Sequence, residues 1–290
     1  MLLGAAGAAA VGYLTAQNAH ARPAHVAVVL RVVIVVTLIA VGAYAQIRTS
    51  HKRLGVTLVG AGLFASVWLL NGSREPLLFS LGVLLGGLAP PVFAYLVLAY
   101  PSGRVRTDAQ RRLVLWCGAV MFALWTFLVV THAHPPLKTP LLSCGAHCPR
   151  NVFFAGSSGS DVASAARAAL WASWLALACG TPVLLFAAAR RRVEPVRRST
   201  APVALVAVAS TVLWVGFVGS QIAGTGASSA FGAAYVEGAL AVPLAILLGL
   251  FIERLTVGRA LATFVRALVE HPETPPDALL AAALKDPSVQ

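Results

Sequence analysis

Residues 190–219 read RRRVEPVRRSTAPVALVAVASTVLWVGFVG: Arg190, Arg191, Arg192, Arg197 and Arg198 crowd ahead of a run, 201–219, that carries no charge. At ~1.5 Å per helical residue such a run covers most of the ~30 Å hydrocarbon core of a bilayer. It lacks the period-two alternation of a membrane barrel strand. A helix, by contrast, satisfies every backbone amide internally where no water is at hand. The guanidinium groups beside it are the kind that hold a span's end at the headgroups. The same pairing of basic turn and greasy run recurs along the chain.

Of 290 residues, 58% are hydrophobic and 11% charged, against ~25% charged in soluble domains. Apolar segments fall at 1–16, 26–46, 54–71, 76–100, 113–131, 162–189, 201–219 and 233–252. The expectation is an all-α polytopic bundle of seven or eight transmembrane helices over residues 1–253, followed by cytoplasmic linker helices over 254–290. The net charge of +12 resides in short gaps without interleaved aromatics. It therefore reads as topology anchoring beside the lipid bilayer, with no nucleic-acid partner.

Those gaps alternate. Arg48, Lys52 and Arg53 follow the second run; Arg104, Arg106, Arg111 and Arg112 follow the fourth; the five arginines quoted above follow the sixth. The intervening gaps hold only Arg22, Arg74, Lys138 and Arg150. Positive-inside bias puts the richer set in the cytoplasm, and the C-terminus with it, in a multi-pass protein of the cell membrane. The first run is short and rich in Ala and Gly. Ala19-His20-Ala21 resembles a signal-peptidase site, but no basic residue precedes Arg22, which favours a retained span. Pro90, Pro91, Pro182 and Pro243 fall inside runs and are expected to kink them. Tyr44, Tyr100, Trp116, Trp171, Trp174 and Tyr235 fall where interfacial rings are favoured, with Trp125 and Trp214 deeper.

Charges within lipid are costly and are the first place to seek function. Arg31 and Glu237 both fall inside runs near the outer end. An ion pair between them and separate snorkelling to the interface are both open, and exchanging the two charges separates the cases. Asp161 and Arg167, with Ser160, read as helix-start chemistry. The longest outer loop holds His132, His134, Cys144, His147 and Cys148. Two cysteines on an oxidising face point to a Cys144–Cys148 disulfide. The alternative is a metal site drawing on the same cysteines and histidines, although the spacing fits no standard zinc motif. No phosphate-binding GxxxxGK[ST] loop is present. Lys52, Lys138 and Lys285 all lie outside the runs, and no intramembrane carboxylate pair suggests an ion relay. No catalytic residue and no cofactor are expected.

Residues 95–105, YLVLAYPSGRV, lie at the cytoplasmic end of a run: Pro101 stops the helix, Ser102 and Gly103 make a turn, and Arg104 meets the headgroups. This stretch resembles the LAFPSGRL signature in the membrane input region of sensor histidine kinases from high-GC (actinobacterial-type) bacteria. Residues 275–290, PPDALLAAALKDPSVQ, are similar to the segment leading from the last span toward a GAF-like module in those kinases. Cysteines before Pro149 in an outer loop also fit the family. The resemblance implies a sensory or anchor module that passes a signal through its last helix. The implied partner is a cytoplasmic kinase domain or response regulator. The family continues into GAF-like, phosphoacceptor and ATP-binding domains, which are not among these 290 residues; the chain is thus expected to be the N-terminal part of a kinase or a truncated relative.

Beyond Arg254 the last run continues as an amphipathic helix, with Leu250, Val257, Leu261, Phe264 and Leu268 recurring at heptad-compatible spacing from its membrane part onward. Such a stripe suits a parallel homodimer, or a helix lying on the bilayer or the protein. A small-solute transporter or channel is the alternative function. It would need a polar path through the bundle, and few intramembrane polar residues exist to build one.

Overall fold

The computed structural model describes residues 2–16, 24–48, 51–135, 137, 148–190 and 194–270. Apolar runs become helices: α1 (Leu2–Ala16), α2 (Ala24–Arg48), α3 (Lys52–Trp68), α4 (Pro76–Gly86), α5 (Ala89–Ala99), α6 (Asp108–Thr131), α7 (Ser160–Arg190), α8 (Glu194–Ile222) and α9 (Ser228–Glu270), with a 3-10 turn at Leu69–Gly72 closing α3. No strand occurs among the described residues. Among the described residues six helices are long and apolar enough to span a bilayer, or seven if α4 and α5, bent by 46° to each other, form one span. Large apolar side chains face outward as well as inward. Leu115 and Trp116 on α6, Val183 on α7, Leu205 on α8 and Leu248 on α9 are all exposed. That outer surface suits lipid and would drive aggregation in water.

The first run is helical, but its 15 residues reach only about 22 Å, less than the hydrocarbon thickness. α1 lies against α2 and α3, burying Ala8 and Val11. A Cβ on Gly7 would sit 3.0 Å from Ser66, and one on Gly12 3.0 Å from Val32.

Residues 76–100, read from sequence as one kinked span, are two helices. Gly87 and Leu88 fall between them, and Pro90 and Pro91 open the second rather than kinking a continuous one. The break has a packing cause. A Cβ on Gly87 would lie 2.5 Å from the Trp125 ring, and one on Gly86 3.5 Å from Trp68. The interrupted ladder leaves the Val83 carbonyl short of a partner four residues on, and the Trp125 indole N–H donates to it at 2.8 Å. Pro182 and Pro243, by contrast, lie inside the continuous helices α7 and α9.

α2 packs along α3 and α9, α8 along α9, and α7 between α6 and α8. At the arginine-rich end Gly103 lies beside Leu54, Tyr100 and Ser199 meet α9 at Gly249, and His51 meets Glu253. The opposite end holds residues 69–75, 132–135, 148–159 and 223–227. α6 starts from a capping box: Thr107 Oγ accepts from the Gln110 backbone N–H at 3.3 Å, while Gln110 Oε1 accepts from the Thr107 N–H at 3.5 Å. Residue 253, expected to end the membrane domain, falls inside α9. Residues 271–290, including the run that resembles a kinase linker, lie outside the described residues.

Candidate functional site

The aromatic residues divide differently from the sequence reading. Trp116 is 70% exposed, as an interfacial or lipid-facing ring should be. Trp174 and Tyr235 instead turn into the bundle. Trp174 meets Trp171 edge-on at 5.0 Å and Trp214 at 5.1 Å, and Trp125 at 6.1 Å; Trp214 in turn lies 4.7 Å from Tyr235. The rings come from α6, α7, α8 and α9, and Trp68 of α3 extends the set through Phe93 at 6.1 Å. Ring-to-ring contacts at these separations each add about 0.5–1.5 kcal/mol beyond burial.

Rings that size leave gaps when they meet at steep angles. Two adjoining cavities of about 80 Å³ and 70 Å³ share Pro90, Phe93, Trp174, Trp214, Tyr235 and Ala239 as common walls. Each exceeds the volume a single water needs. The lining includes few polar groups, and two of them stand out. Asn71, in the 3-10 turn, is 5% exposed and Trp174 4% exposed. Neither Asn71 Oδ1 nor Trp174 Nε1 has a hydrogen-bond partner among the described residues. Leaving such groups buried and unmet costs about 1–3 kcal/mol apiece. Among the described residues no Asp, Glu, Lys or Arg lines either cavity. Small ligand sites commonly have this form, a mostly apolar hollow with a few convergent polar atoms.

The end away from the arginines is closed by a polar cap. Asn151 is 6% exposed, and its Nδ2 donates to the carbonyls of Val129 at 2.6 Å and His132 at 3.0 Å, both orphaned by the end of α6. Asn151 Oδ1 accepts from the Phe153 N–H at 3.0 Å, and Ser80 Oγ from the Val152 N–H at 3.0 Å. His132 Nδ1 sits 2.9 Å from the Leu128 carbonyl, a helix-end contact, while His134 is exposed. Cys148 is half-buried beside the aromatic cluster. Cys144 and His147 lie outside the described residues. Among the described residues no three metal-ligating side chains converge. Cys117 and Cys179 are free thiols within α6 and α7. Asp161 opens α7, and Arg167 Nε donates to the Ala163 carbonyl at 3.3 Å.

Arg31 is buried in α2 at 3% exposure, whereas Glu237 is exposed on α9. A pair between them would need Glu237 to turn inward. The acidic residue of α9 that does reach α3's start is Glu253, whose Oε1 lies 3.0 Å from His51 Nε2. The next residue, Arg254, donates to Tyr44 Oη at 3.5 Å and places its guanidinium 5.6 Å from that ring's centre. Together these contacts root α9 on the α2–α3 turn.

The Pro101, Ser102, Gly103 and Arg104 turn lies at this same end. Gly103 adopts φ +71 and donates its N–H to the Ala99 carbonyl at 2.8 Å; Ser102 Oγ donates to the Arg104 carbonyl at 3.0 Å. The left-handed backbone suits glycine, and a Cβ there would run into the Leu54 backbone of α3. Arg104 is exposed. Tyr100 is not interfacial: it is fully buried, and it reaches α9 where Gly249 leaves room for its hydroxyl. On the extension of α9, Leu261 is 61% and Leu268 37% exposed, Phe264 is half-buried, and the Val257 side chain lies outside the described residues. No protein-family model, no curated protein and no solved structure matches the chain.

Proposed function

We propose that the chain is the membrane-embedded sensory or anchor module of a two-component sensor histidine kinase. In this reading a change of packing within the bundle passes through the last helix to a cytoplasmic kinase domain or response regulator. The observation that carries it is the continuity of α9. One helix of 43 residues, about 65 Å long, lines the aromatic cavities with Tyr235, Ala239 and Val242. It then leaves the bundle with Leu261, Val265 and Leu268 uncovered. An element biased at one end and read at the other is what a two-state relay requires. The resemblance at residues 95–105 and 275–290 supports the class of partner.

The arginine-rich end is cytoplasmic in this reading, the uncovered face of α9 pairs across a homodimer, and Cys144 joins Cys148 on the outer side. A transporter or channel would need a polar route, and the paired cavities are lined mainly by aromatic and aliphatic side chains, with Asn71, Thr181, Ser210 and Thr211 as isolated polar residues and no charged group among the described residues. Sequencing the gene past residue 290 and its neighbourhood tests the reading. In-frame kinase domains, or an adjacent kinase and response-regulator pair, are expected; a stop codon after Gln290 with no such gene nearby would remove the proposal's support.

A further inference from the structure

We infer that the paired cavities bind a small uncharged aromatic ring bearing a hydroxyl, a phenol or the head ring of a hydroquinone, through Asn71 and Trp174. The inference rests on the sensory reading only for its meaning, since it would make the ring the input; binding itself can be measured without reference to signalling.

Three features select this chemistry. The second cavity is walled largely by rings, while the first adds Thr181, Ser210 and Thr211 among aliphatic side chains; ring walls accept another ring at offset or edge-on angles more readily than a flexible chain. No carboxylate is present to compensate a cation, nor any basic group to compensate an anion, and an unpaired charge is disfavoured in such surroundings. Among the described residues that line the cavities, the buried side-chain atoms without a partner are the Asn71 amide oxygen and the Trp174 indole N–H. Asn71 and Trp174 both line the second cavity, and a hydroxyl can donate and accept through a single atom. An alkyl chain or an unsubstituted ring would leave the two orphans as they are. Each cavity alone is small; with Pro90, Phe93, Trp174, Trp214, Tyr235 and Ala239 common to both, one ring can extend from one hollow toward the other. A dry apolar cavity of about 150 Å³ is known to take a benzene-sized ligand.

The probe is 4-fluorophenol, with fluorobenzene as the partner lacking the hydroxyl, followed by fluorine NMR on purified protein in detergent against empty micelles. The expected result is a saturable shift for 4-fluorophenol beyond micelle partitioning. Trp174→Phe, which keeps a ring and removes the N–H, should weaken binding by about tenfold, or ~1.4 kcal/mol. Asn71→Leu should do the same, with Asn71→Ala replacing it should the leucine variant not fold. Fluorobenzene should bind all of these within about twofold of one another. Ala239→Phe, which fills the shared wall, should abolish both. No saturable signal above micelles, or 4-fluorophenol binding unchanged in the Asn71 and Trp174 variants, would overturn the assignment. Saturable binding with no kinase encoded nearby would defeat the signalling role alone, and kinase domains without binding would defeat this inference alone.

Discussion

Gly249 is the residue on which most of the arginine-rich end depends. A Cβ there would meet the Tyr100 hydroxyl and approach the Ser199 carbonyl to 2.5 Å, so three segments of the chain converge on a missing side chain. Gly249→Ala is expected to lower stability by about 1–3 kcal/mol, the usual cost of overpacking. Thermal unfolding in detergent measures it. Adding Tyr100→Phe should restore part of the loss by removing one of the two obstructing oxygens, a coupling that a double-mutant cycle reads directly. Little of this was legible beforehand. The turn at Pro101 to Arg104 was, because proline and glycine act locally. Tyr100 read as an interfacial ring, because its burial is decided by Gly249 and Ser199, far along the chain. Asn71 gave no signal of its own.

At the scale of helices, the apolar runs foretold where the elements lie, since burial of backbone polar groups in lipid leaves few options. What they could not convey was the interruption between α4 and α5. Prolines drew attention to positions 90 and 91, yet the break comes just ahead of them, where Gly87 admits the Trp125 ring from α6. Gly87→Ala should therefore destabilise the bundle measurably. Gly60→Ala, at a helix position where a Cβ meets nothing, should be neutral or stabilising by up to about 1 kcal/mol. Equal unfolding midpoints for the two variants would mean that close approach does not govern the break. The extension of α9 carries the complementary prediction. Leu261, Phe264, Val265 and Leu268 share one face, so Leu261→Cys and Phe264→Cys should form disulfide-linked dimers in membranes. Thr263→Cys, on the opposite face, should not. Lack of any cross-linked species at the first two would count against pairing.

For the molecule as a whole, the membrane reading depends on outward-facing leucine, valine and tryptophan, and that much was evident from composition. Orientation is a separate matter, set by the unequal distribution of arginine. A reporter active only outside the cytoplasm, fused after Arg198, should be silent; fused within residues 138–147 it should be active. The reverse pattern would invert the map and strand the signalling proposal on the wrong side. The cavity was the least legible feature. It is assembled from several helices, so no stretch of sequence contains it. Its trace was nevertheless present: Trp68, Trp125, Trp214 and Tyr235 all fall within about two turns of the same end of their helices, a coincidence of depth visible only when the runs are laid side by side.

The missing side chain at Gly249 also has a mechanical meaning. With the Tyr100 hydroxyl close against it and the His51–Glu253 contact a turn beyond, that point on α9 would be the fulcrum of any tilt of the helix. Glu270 lies about 32 Å down the axis from it and Tyr235 about 21 Å up. One degree of tilt there swings the far tip by roughly 0.6 Å, half as much again as the motion at the ring-lined hollow. A small guest that wedges the upper arm would thus be read at the lower one with gain.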